Sequence, residues 1–306
     1  MQETTSHWSN GATQASIFNE TVYKANQANK WLFLEEIQNP SKLVGSPSVV
    51  VGATLAYIAF VCLIGPLLMS FREAFQLKTV IRLYNLTEVL LAGYLCFSLH
   101  RALGGFANFF RCDRVFSFAD GSSNLIYQMA GFILAVRLSE YLDTVFFTLR
   151  KKQNQVTFLH VFHHAFVPIY AYWILRTGPL RFNVFIIYIN SAIHVVMYFY
   201  YFLATFQQAP REQGDDTKIG QTERFPMSLV RHLLRFKKYI TQMQIVQFVL
   251  LATYSIYIYL QPKQCSVPNT YIASNLLLAG TFLGLFVHFY IKSYKAAKAA
   301  VRSKQA

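Results

Sequence analysis

Three histidines stand close together in an otherwise apolar stretch of the chain. His160, His163 and His164 form an HxxHH box within residues 156–173, VTFLHVFHHAFVPIYAYW. On a helix, positions i, i+3 and i+4 share one face, so the spacing predicts a cluster of imidazoles. Imidazoles can bind a metal, shuttle protons or attack a substrate. The alternative is a polar cluster that only joins helices, but three histidines in so short a segment exceed what packing needs.

The composition predicts an all-α integral membrane protein. The chain has 306 residues, of which 54% are hydrophobic and 14% charged, and its mean hydropathy is +0.30. The net charge is +14, but the basic residues gather at the ends of apolar segments, which favours membrane topology over nucleic-acid binding. About seven segments are long enough to span a bilayer. They are Ser48–Phe71, Leu83–His100, Leu125–Leu149, Val156–Leu175, Phe182–Phe206, Tyr239–Leu260 and Tyr271–Ile291.

An odd number of spans places the two termini on opposite sides of the membrane. With the C-terminus in the cytosol, 18 of the 28 Lys and Arg residues fall on the cytosolic side, which the positive-inside rule favours. The predicted organisation is a luminal tail at 1–47, a seven-helix domain at 48–291 and a basic cytosolic tail at 292–306. A polar cytosolic loop lies within the domain at 207–235.

Three features fit this orientation. Asn19 begins a glycosylation sequon in the luminal tail. Cys112 and Cys265 fall in luminal loops, where an oxidising compartment favours a disulfide, although two free thiols are the alternative. Arg302 and Lys304, near the end of the chain, are similar to the dibasic retrieval signal of endoplasmic reticulum membrane proteins. A solvated basic tail is the alternative for this last pair.

The third span carries unusual polar residues. Arg137, Glu140 and Thr144 are spaced to share one helical face, with Asp143 beside them. Ionisable side chains within a membrane normally pair or face a cavity. These residues can therefore orient a histidine, or they can form a self-contained ion pair that fixes helix packing.

Two later spans and two basic clusters complete the candidate set. His194, Tyr198 and Tyr201 fall at i, i+4 and i+7 in the fifth span, and Thr241, Gln244 and Gln247 share one face of the sixth. Basic residues at the predicted cytosolic ends suit a phosphate-bearing ligand, or they are ordinary positive-inside charge. They are Arg150, Lys151, Lys152, Lys237 and Lys238.

Together these residues resemble the ELO family of very-long-chain fatty acid elongases. Four motifs stand in the order of that family, which for the first motif has Lys where this chain has Arg137. The first is Arg137-x-x-Glu140-x-x-Asp143-Thr144, and the second is the HxxHH box. The third contains His194, Met197, Tyr198, Tyr200 and Tyr201, and the fourth contains Thr241, Gln244 and Gln247.

The resemblance implies a barrel of six helices around an acyl-chain tunnel that opens to the cytosol. The implied reaction, in the endoplasmic reticulum, condenses acyl-CoA with malonyl-CoA to 3-oxoacyl-CoA, CoA and carbon dioxide. Both are substrates, and no cofactor or metal is expected. A homodimer and the other enzymes of the elongation cycle are the expected partners. The residues between the first two box histidines, Val161 and Phe162, resemble the branch that handles polyunsaturated or very long chains.

The resemblance also implies roles for the residues. His163 is the expected nucleophile, and His194 assists as acid, base or thioester-oxygen ligand. The remaining histidines of the box, with Asp143 and Glu140, are expected to orient them. The substrate-binding residues are then Arg137, Thr144, Arg150, Lys151, Lys152, Tyr198, Tyr201, Lys237, Lys238, Thr241, Gln244 and Gln247.

Two other classes remain as alternatives. A membrane di-iron desaturase or hydroxylase would use imidazole ligands. Such enzymes carry about three histidine boxes, and the 8 histidines of this chain are too few and too dispersed to form them. A seven-helix receptor or transporter is the non-enzymatic alternative, and it would not need the histidine cluster.

Overall fold

The computed structural model describes residues 46–110, 122–177, 180–206, 234–261 and 267–295, and these are predominantly helical. The helices are α1 (Pro47–Ser70), α2 (Lys78–Leu103), α3 (Ser122–Ser139), α4 (Tyr141–Leu149), α5 (Phe158–Thr177), α6 (Leu180–Ala204), α7 (Lys237–Tyr259) and α8 (Asn269–Tyr290). A π-helical segment, Phe60–Ile64, lies within α1, and another, Ile291–Lys295, follows α8. Short 3-10 segments occupy Phe106–Phe110, Gln153–Gln155 and Leu234–Phe236.

The protein is an all-α, multi-pass membrane protein, as predicted. Within the described residues, five helices are long and apolar enough to cross a bilayer: α1, α2, α5, α6 and α8. The third predicted span consists of two helices, α3 and α4, because the helix is interrupted at Glu140. The sixth predicted span is α7, which falls outside that set. Its first three turns carry Lys237 and Lys238 and also Thr241, Gln242, Gln244 and Gln247.

Six helical segments form a closed ring. Going round it, each of α2, α6, α7, α8, α5 and α3 packs against the next, and α3 returns to α2. Helix α1 lies outside the ring and packs against α4 and α5. This arrangement confirms the six-helix ring, while an acyl tunnel inside it stays a prediction.

The main apolar core fills one end of the ring. It lies where α2 and α7 end and where α6 and α8 begin, and Phe109 packs into it from the 3-10 segment after α2. The ring centroids of Phe185 and Tyr254 are 4.5 Å apart, and the Tyr254 hydroxyl donates a hydrogen bond to the Phe109 carbonyl at 3.2 Å. Close side-chain packing of this kind holds helices together where lipid removes the hydrophobic driving force. The polar residues of the four motifs lie mainly nearer the other end of the ring.

Helix α1 is joined to α4 through hydroxyl groups. The rings of Tyr57 and Tyr141 stack with centroids 4.3 Å apart. The Thr54 and Tyr141 hydroxyls are 2.6 Å apart, and the Tyr57 and Thr144 hydroxyls are 2.9 Å apart. Further along α1, Gly65 lies so close to α4 that an added Cβ atom would come within 2.6 Å of Thr148 Cγ2. Only glycine allows this approach without a shift of the backbone or of Thr148.

Several sequence predictions concern residues outside the described ranges. These are the sequon at Asn19, the cysteine pair Cys112 and Cys265, and the tail residues Arg302 and Lys304. The same holds for most of the predicted luminal tail, the polar loop and the basic tail. All of them stay predictions.

Candidate functional site

The HxxHH box lies in the first two turns of α5. The Thr157 hydroxyl accepts a hydrogen bond from the backbone N–H of His160 at 3.3 Å, which satisfies one of the unpaired donors at the start of the helix. The imidazole centroids of His160 and His164 are 4.3 Å apart, and those of His163 and His164 are 5.5 Å apart. The predicted cluster on one helical face is therefore present. Helix α5 continues through Pro168 without interruption.

The box histidines carry buried nitrogen atoms without a hydrogen-bond partner. Among the described residues, Nε2 of His160 and Nδ1 of His163 and of His164 are buried and unpaired. Native proteins satisfy most buried polar atoms, so unpaired ones need an explanation such as a ligand or a catalytic role. On one side, the ring of His163 packs edge-on against Phe282 of α8, with centroids 4.8 Å apart. The box thus combines reactive nitrogens with an apolar wall.

A second group of polar side chains centres on Glu140, at the break between α3 and α4. Its Oε1 atom lies 3.0 Å from Nη1 of Arg137 and 2.9 Å from Nδ1 of His194 on α6. The same guanidinium nitrogen donates to Oδ1 of Asn190 at 2.7 Å. Glu140 therefore connects Arg137 with His194, and all three side chains are almost completely buried.

The two groups form one site. His163 interacts electrostatically with His194, Glu140, His160 and Arg137. The histidine of α6 and the box on α5 are thus coupled electrostatically. This is the juxtaposition of the second and third motifs that the sequence predicts.

Asp143 extends the site on α4. The Tyr198 hydroxyl donates a hydrogen bond to Oδ2 of Asp143 at 2.6 Å, and the hydroxyl of Tyr84 is within reach of both residues. The ring of Tyr201 lies 6.0 Å from that of Tyr198, and 37% of its surface is exposed. Both predicted tyrosines therefore lie on the same side of α6 as Asp143.

Thr144 is not placed as its spacing suggests. The sequence puts it on one face with Arg137 and Glu140, but its side chain is fully buried against Tyr57 of α1. The physical reason is the interruption at Glu140, because a break changes the angular relation between residues before and after it. Asp143 lies next to the site instead.

The polar residues of α7 have partners on neighbouring elements. The Gln244 amide donates to the sulfur of Met197 at 3.4 Å, which joins the fourth motif to the third. Thr241 lies 3.4 Å from the Tyr294 hydroxyl, and Gln242 donates to the Tyr290 hydroxyl at 3.0 Å. Gln247 is buried. None of these three contacts is with a histidine, so α7 borders the site rather than forming its centre.

The basic residues gather at one end of the ring. The start of α2 meets the end of α4 through a hydrogen bond from Phe75 N–H to the Leu149 carbonyl, and it meets the end of α6 through Arg82 and Thr205. The end of α6 also lies beside the turn before α7. Exposed side chains at this end include those of Lys151, Lys152, Lys237 and Lys238, whereas Arg150 is half-buried.

Sequence reasoning missed residues on α2, α3 and α6. Glu88, Ser139 and Ser191 lie among the motif residues, and Glu88 is only 2% exposed. The Ser191 hydroxyl is buried without a partner, one turn before His194. A signal for Glu88 was available, because it is a carboxylate within an apolar segment.

An apolar groove of about 420 Å³ runs between α5 and α8. It begins beside the box, at Phe162, and continues through stacked aromatic rings. Its size and lining suit a hydrocarbon chain. The lining residues are Phe162, Phe166, Ile169, Tyr170, Trp173, Ser274, Leu277, Leu278 and Thr281.

Comparison with known proteins identifies the family. The model of the ELO family, GNS1/SUR4, matches residues 42–302. Very long chain fatty acid elongase 1 of Mus musculus is 32% identical over 86% of this chain and 87% of its own length. Very long chain fatty acid elongase 7 of Rattus norvegicus is 32% identical over 78% of each chain, and elongase 7 of Drosophila melanogaster is 29% identical over 82% of this chain and 70% of its own. This multi-pass membrane protein therefore belongs to the ELO family of fatty acid elongases.

Proposed function

We propose that the protein condenses a long-chain acyl-CoA with malonyl-CoA to give 3-oxoacyl-CoA, CoA and carbon dioxide. The relatives are named very long chain fatty acid elongases, and two-carbon elongation requires such a condensation. The observation that carries the proposal is the meeting of unpaired box histidines with the Arg137–Glu140–His194 group. Nucleophile, orienting carboxylate and assisting imidazole then stand in one buried site.

In the first half-reaction, His163 is the nucleophile. An imidazole nitrogen attacks the thioester carbonyl, the carbon–sulfur bond breaks, and an acyl-imidazole forms. The proton lost from the imidazole goes to the departing CoA thiolate, with His194 as the relay. Glu140 holds His194 in place through Nδ1 at 2.9 Å, which leaves its other nitrogen for this transfer.

In the second half-reaction, malonyl-CoA enters and loses carbon dioxide. The electron pair of the broken carbon–carbon bond forms an enolate, whose carbon attacks the acyl carbon. The bond from the acyl carbon to His163 then breaks, and the imidazole takes up a proton from solvent, which is the one proton that the overall reaction consumes. No base has to remove a carbon-bound hydrogen, because decarboxylation generates the nucleophile. Donors that can stabilise the developing oxyanion are the Gln244 and Gln247 amides, while Tyr198 donates its one hydroxyl hydrogen to Asp143 and His160 and His164 support the site.

Substrate binding follows from the shape of the ring. The CoA phosphates meet the basic end, at Arg150, Lys151, Lys152, Lys237 and Lys238. The acyl chain extends between the helices toward the apolar end, and no cofactor is needed. Very long or polyunsaturated chains are the expected substrates. The protein works in the endoplasmic reticulum membrane with a luminal N-terminus and a cytosolic C-terminus, alone or as a homodimer beside the other enzymes of the cycle.

The first experiment measures carbon dioxide released from labelled malonyl-CoA by purified protein. A panel of acyl-CoAs with graded length and unsaturation is supplied, and His163→Ala runs beside the wild type. We expect release that requires both acyl-CoA and His163. Wild-type protein that is folded yet releases nothing with any acyl-CoA contradicts the proposed reaction.

A second experiment tests the intermediate. Wild-type protein is incubated with acyl-CoA alone, denatured rapidly and analysed by peptide mass spectrometry. The acyl group is expected on His163 and absent from the protein carrying His163→Ala. An acyl group attached to another residue removes His163 from the role of nucleophile.

A further inference from the structure

Glu88 is a carboxyl group inside a membrane helix that none of the four motifs includes. It lies in the first half of α2 and is only 2% exposed. Its Oε1 atom accepts a hydrogen bond from the Ser139 hydroxyl at 2.8 Å. Its Oε2 atom is buried and has no hydrogen-bond partner among the described residues. A buried carboxyl with one unpaired oxygen is costly, so it needs a physical reason.

Three buried carboxyl groups lie near one another here, and Arg137 contacts one of them, Glu140. Glu88 interacts electrostatically with Glu140 and Asp143, and with Arg137. Arg137 lies directly against Glu140, and the same Nη1 atom donates to Asn190. If Glu88, Glu140 and Asp143 were all ionised, the group would hold excess negative charge in a low-dielectric interior. At least one of the three must therefore carry a proton.

The contacts indicate which carboxyl that is. Glu140 lies against Arg137 and His194, which favours its ionised form. Asp143 accepts a hydrogen bond from Tyr198 at 2.6 Å, and the Tyr84 hydroxyl is within reach of the same carboxyl, so two phenol donors favour its ionised form. Glu88 has one neutral donor, Ser139, and an unpaired oxygen that can carry hydrogen. The ionisable groups that face Glu88 are Tyr84 from its own helix, Arg137 from α3, Glu140 from the break, Asp143 from α4 and Tyr198 from α6.

We propose that Glu88 is a positioning residue of the condensation site that works as a neutral acid. With Glu88 protonated, the charge of Arg137 is available to Glu140, and Glu140 in turn fixes His194. With Glu88 ionised, it competes for Arg137 and repels Glu140, so the hold on His194 weakens. The protonated form is present at low pH and is lost as pH rises, so activity falls on the alkaline side. This inference rests on the proposed condensation, in which His194 assists His163.

The test is the pH profile of acyl-CoA-dependent carbon dioxide release. Glu88→Gln stays neutral at every pH, so we expect it to remain active and to lose the alkaline fall seen in the wild type. Beyond the wild-type midpoint, the ratio of variant to wild-type rate is expected to rise about tenfold for each pH unit. Glu88→Asp is expected to keep the alkaline fall. Ser98→Ala, a buried change near the other end of α2, serves as control and is expected to follow the wild type.

Two results overturn the proposal. One is a Glu88→Gln profile parallel to that of the wild type at every pH. The other is loss of activity in Glu88→Gln at every pH while Glu88→Asp stays active, because an ionised carboxyl would then be required. A purely structural role for Glu88 would change thermal stability and rate without changing the form of the pH profile.

An infrared measurement keeps the proposal testable without turnover. The carbonyl band of a protonated carboxyl is recorded for purified wild-type protein at neutral pH. It is expected to lose intensity in Glu88→Gln and to shift in Glu88→Asp. If Glu88→Gln does not fold, the shift of the carbonyl band between wild type and Glu88→Asp still tests the assignment. An unchanged band contradicts the assignment, whereas wild-type protein with the Glu88 band but no carbon dioxide release contradicts only the condensation.

Discussion

Nδ1 of His194 lies 2.9 Å from Oε1 of Glu140, the same oxygen atom that lies 3.0 Å from Arg137. This contact joins α6 to the break between α3 and α4. A carboxylate against one imidazole nitrogen fixes both the orientation of the ring and the position of its proton. The second nitrogen of His194 is then available for chemistry beside the HxxHH box.

The Glu140–His194 contact predicts a defect in turnover more than in binding. Glu140→Gln keeps the shape of the side chain but removes the charge that holds His194. Since general acid–base assistance contributes about 10²–10⁴-fold, kcat is expected to fall within that range while KM for acyl-CoA changes little. Steady-state carbon dioxide release measures both constants.

Glu73→Gln is the matched control, because Glu73 is an exposed carboxylate before α2. Its activity is expected to equal that of the wild type. A Glu140→Gln protein with unchanged kcat would show that His194 does not depend on this carboxylate.

The hydrogen bond from Tyr198 to Asp143 predicts a loss of stability. Tyr198→Phe keeps the ring and removes a hydrogen-bond donor from the buried carboxyl of Asp143. Removing one partner of a buried hydrogen bond costs about 1–3 kcal/mol, so Tm in detergent is expected to decrease. Tyr94→Phe, at a side chain that is 54% exposed, is expected to leave Tm unchanged. Equal Tm values for the two variants would contradict the prediction.

The close approach of Gly65 to α4 predicts that alanine is excluded there. An added Cβ atom would lie 2.6 Å from Thr148 Cγ2 and 2.7 Å from the Phe60 carbonyl oxygen, so α1 has to move away from α4 and its own backbone between Phe60 and Gly65 has to shift. Gly65→Ala is expected to lower Tm and the yield of monodisperse protein. Gly52 lies on the same helix, and an added Cβ atom there would have no neighbour within 4 Å. Gly52→Ala is therefore expected to be neutral or stabilising. Similar behaviour of the two variants would argue against tight packing at this point.

The basic end of the ring predicts a salt-sensitive binding defect. Lys151 and Lys152 are exposed and follow α4 directly. Replacing both with Gln is expected to raise KM for acyl-CoA with little effect on kcat, and the difference should shrink as salt screens the charges. Arg101→Gln, at the opposite end of α2, removes a positive charge away from this site and is expected to leave KM unchanged. A double variant with wild-type KM at low salt would remove these lysines from the binding surface.

The helices could be predicted from the sequence better than the contacts between them. Apolar segments of bilayer length located the helices to within a few residues, and helical spacing brought His160 next to His164. Spacing could not place Thr144, because the break at Glu140 is a tertiary feature. Nor could it find the role of Glu88, whose hydrogen-bond partner Ser139 lies on another helix. The ring order likewise depends on contacts between segments far apart in the chain.

Helix α1 stands outside the ring and packs against the bundle along one side only. Substitutions on its two sides are therefore under different selective pressure. Changes at Thr54, Tyr57 or Gly65 disturb a contact with α4 and tend to be removed during evolution. Leu55, Leu63 and Leu67 are 62%, 69% and 59% exposed and face the surroundings of the bundle. Any apolar residue serves there, so these positions are free to drift. A deep mutational scan of α1 should therefore alternate between tolerance and intolerance with the period of a helix.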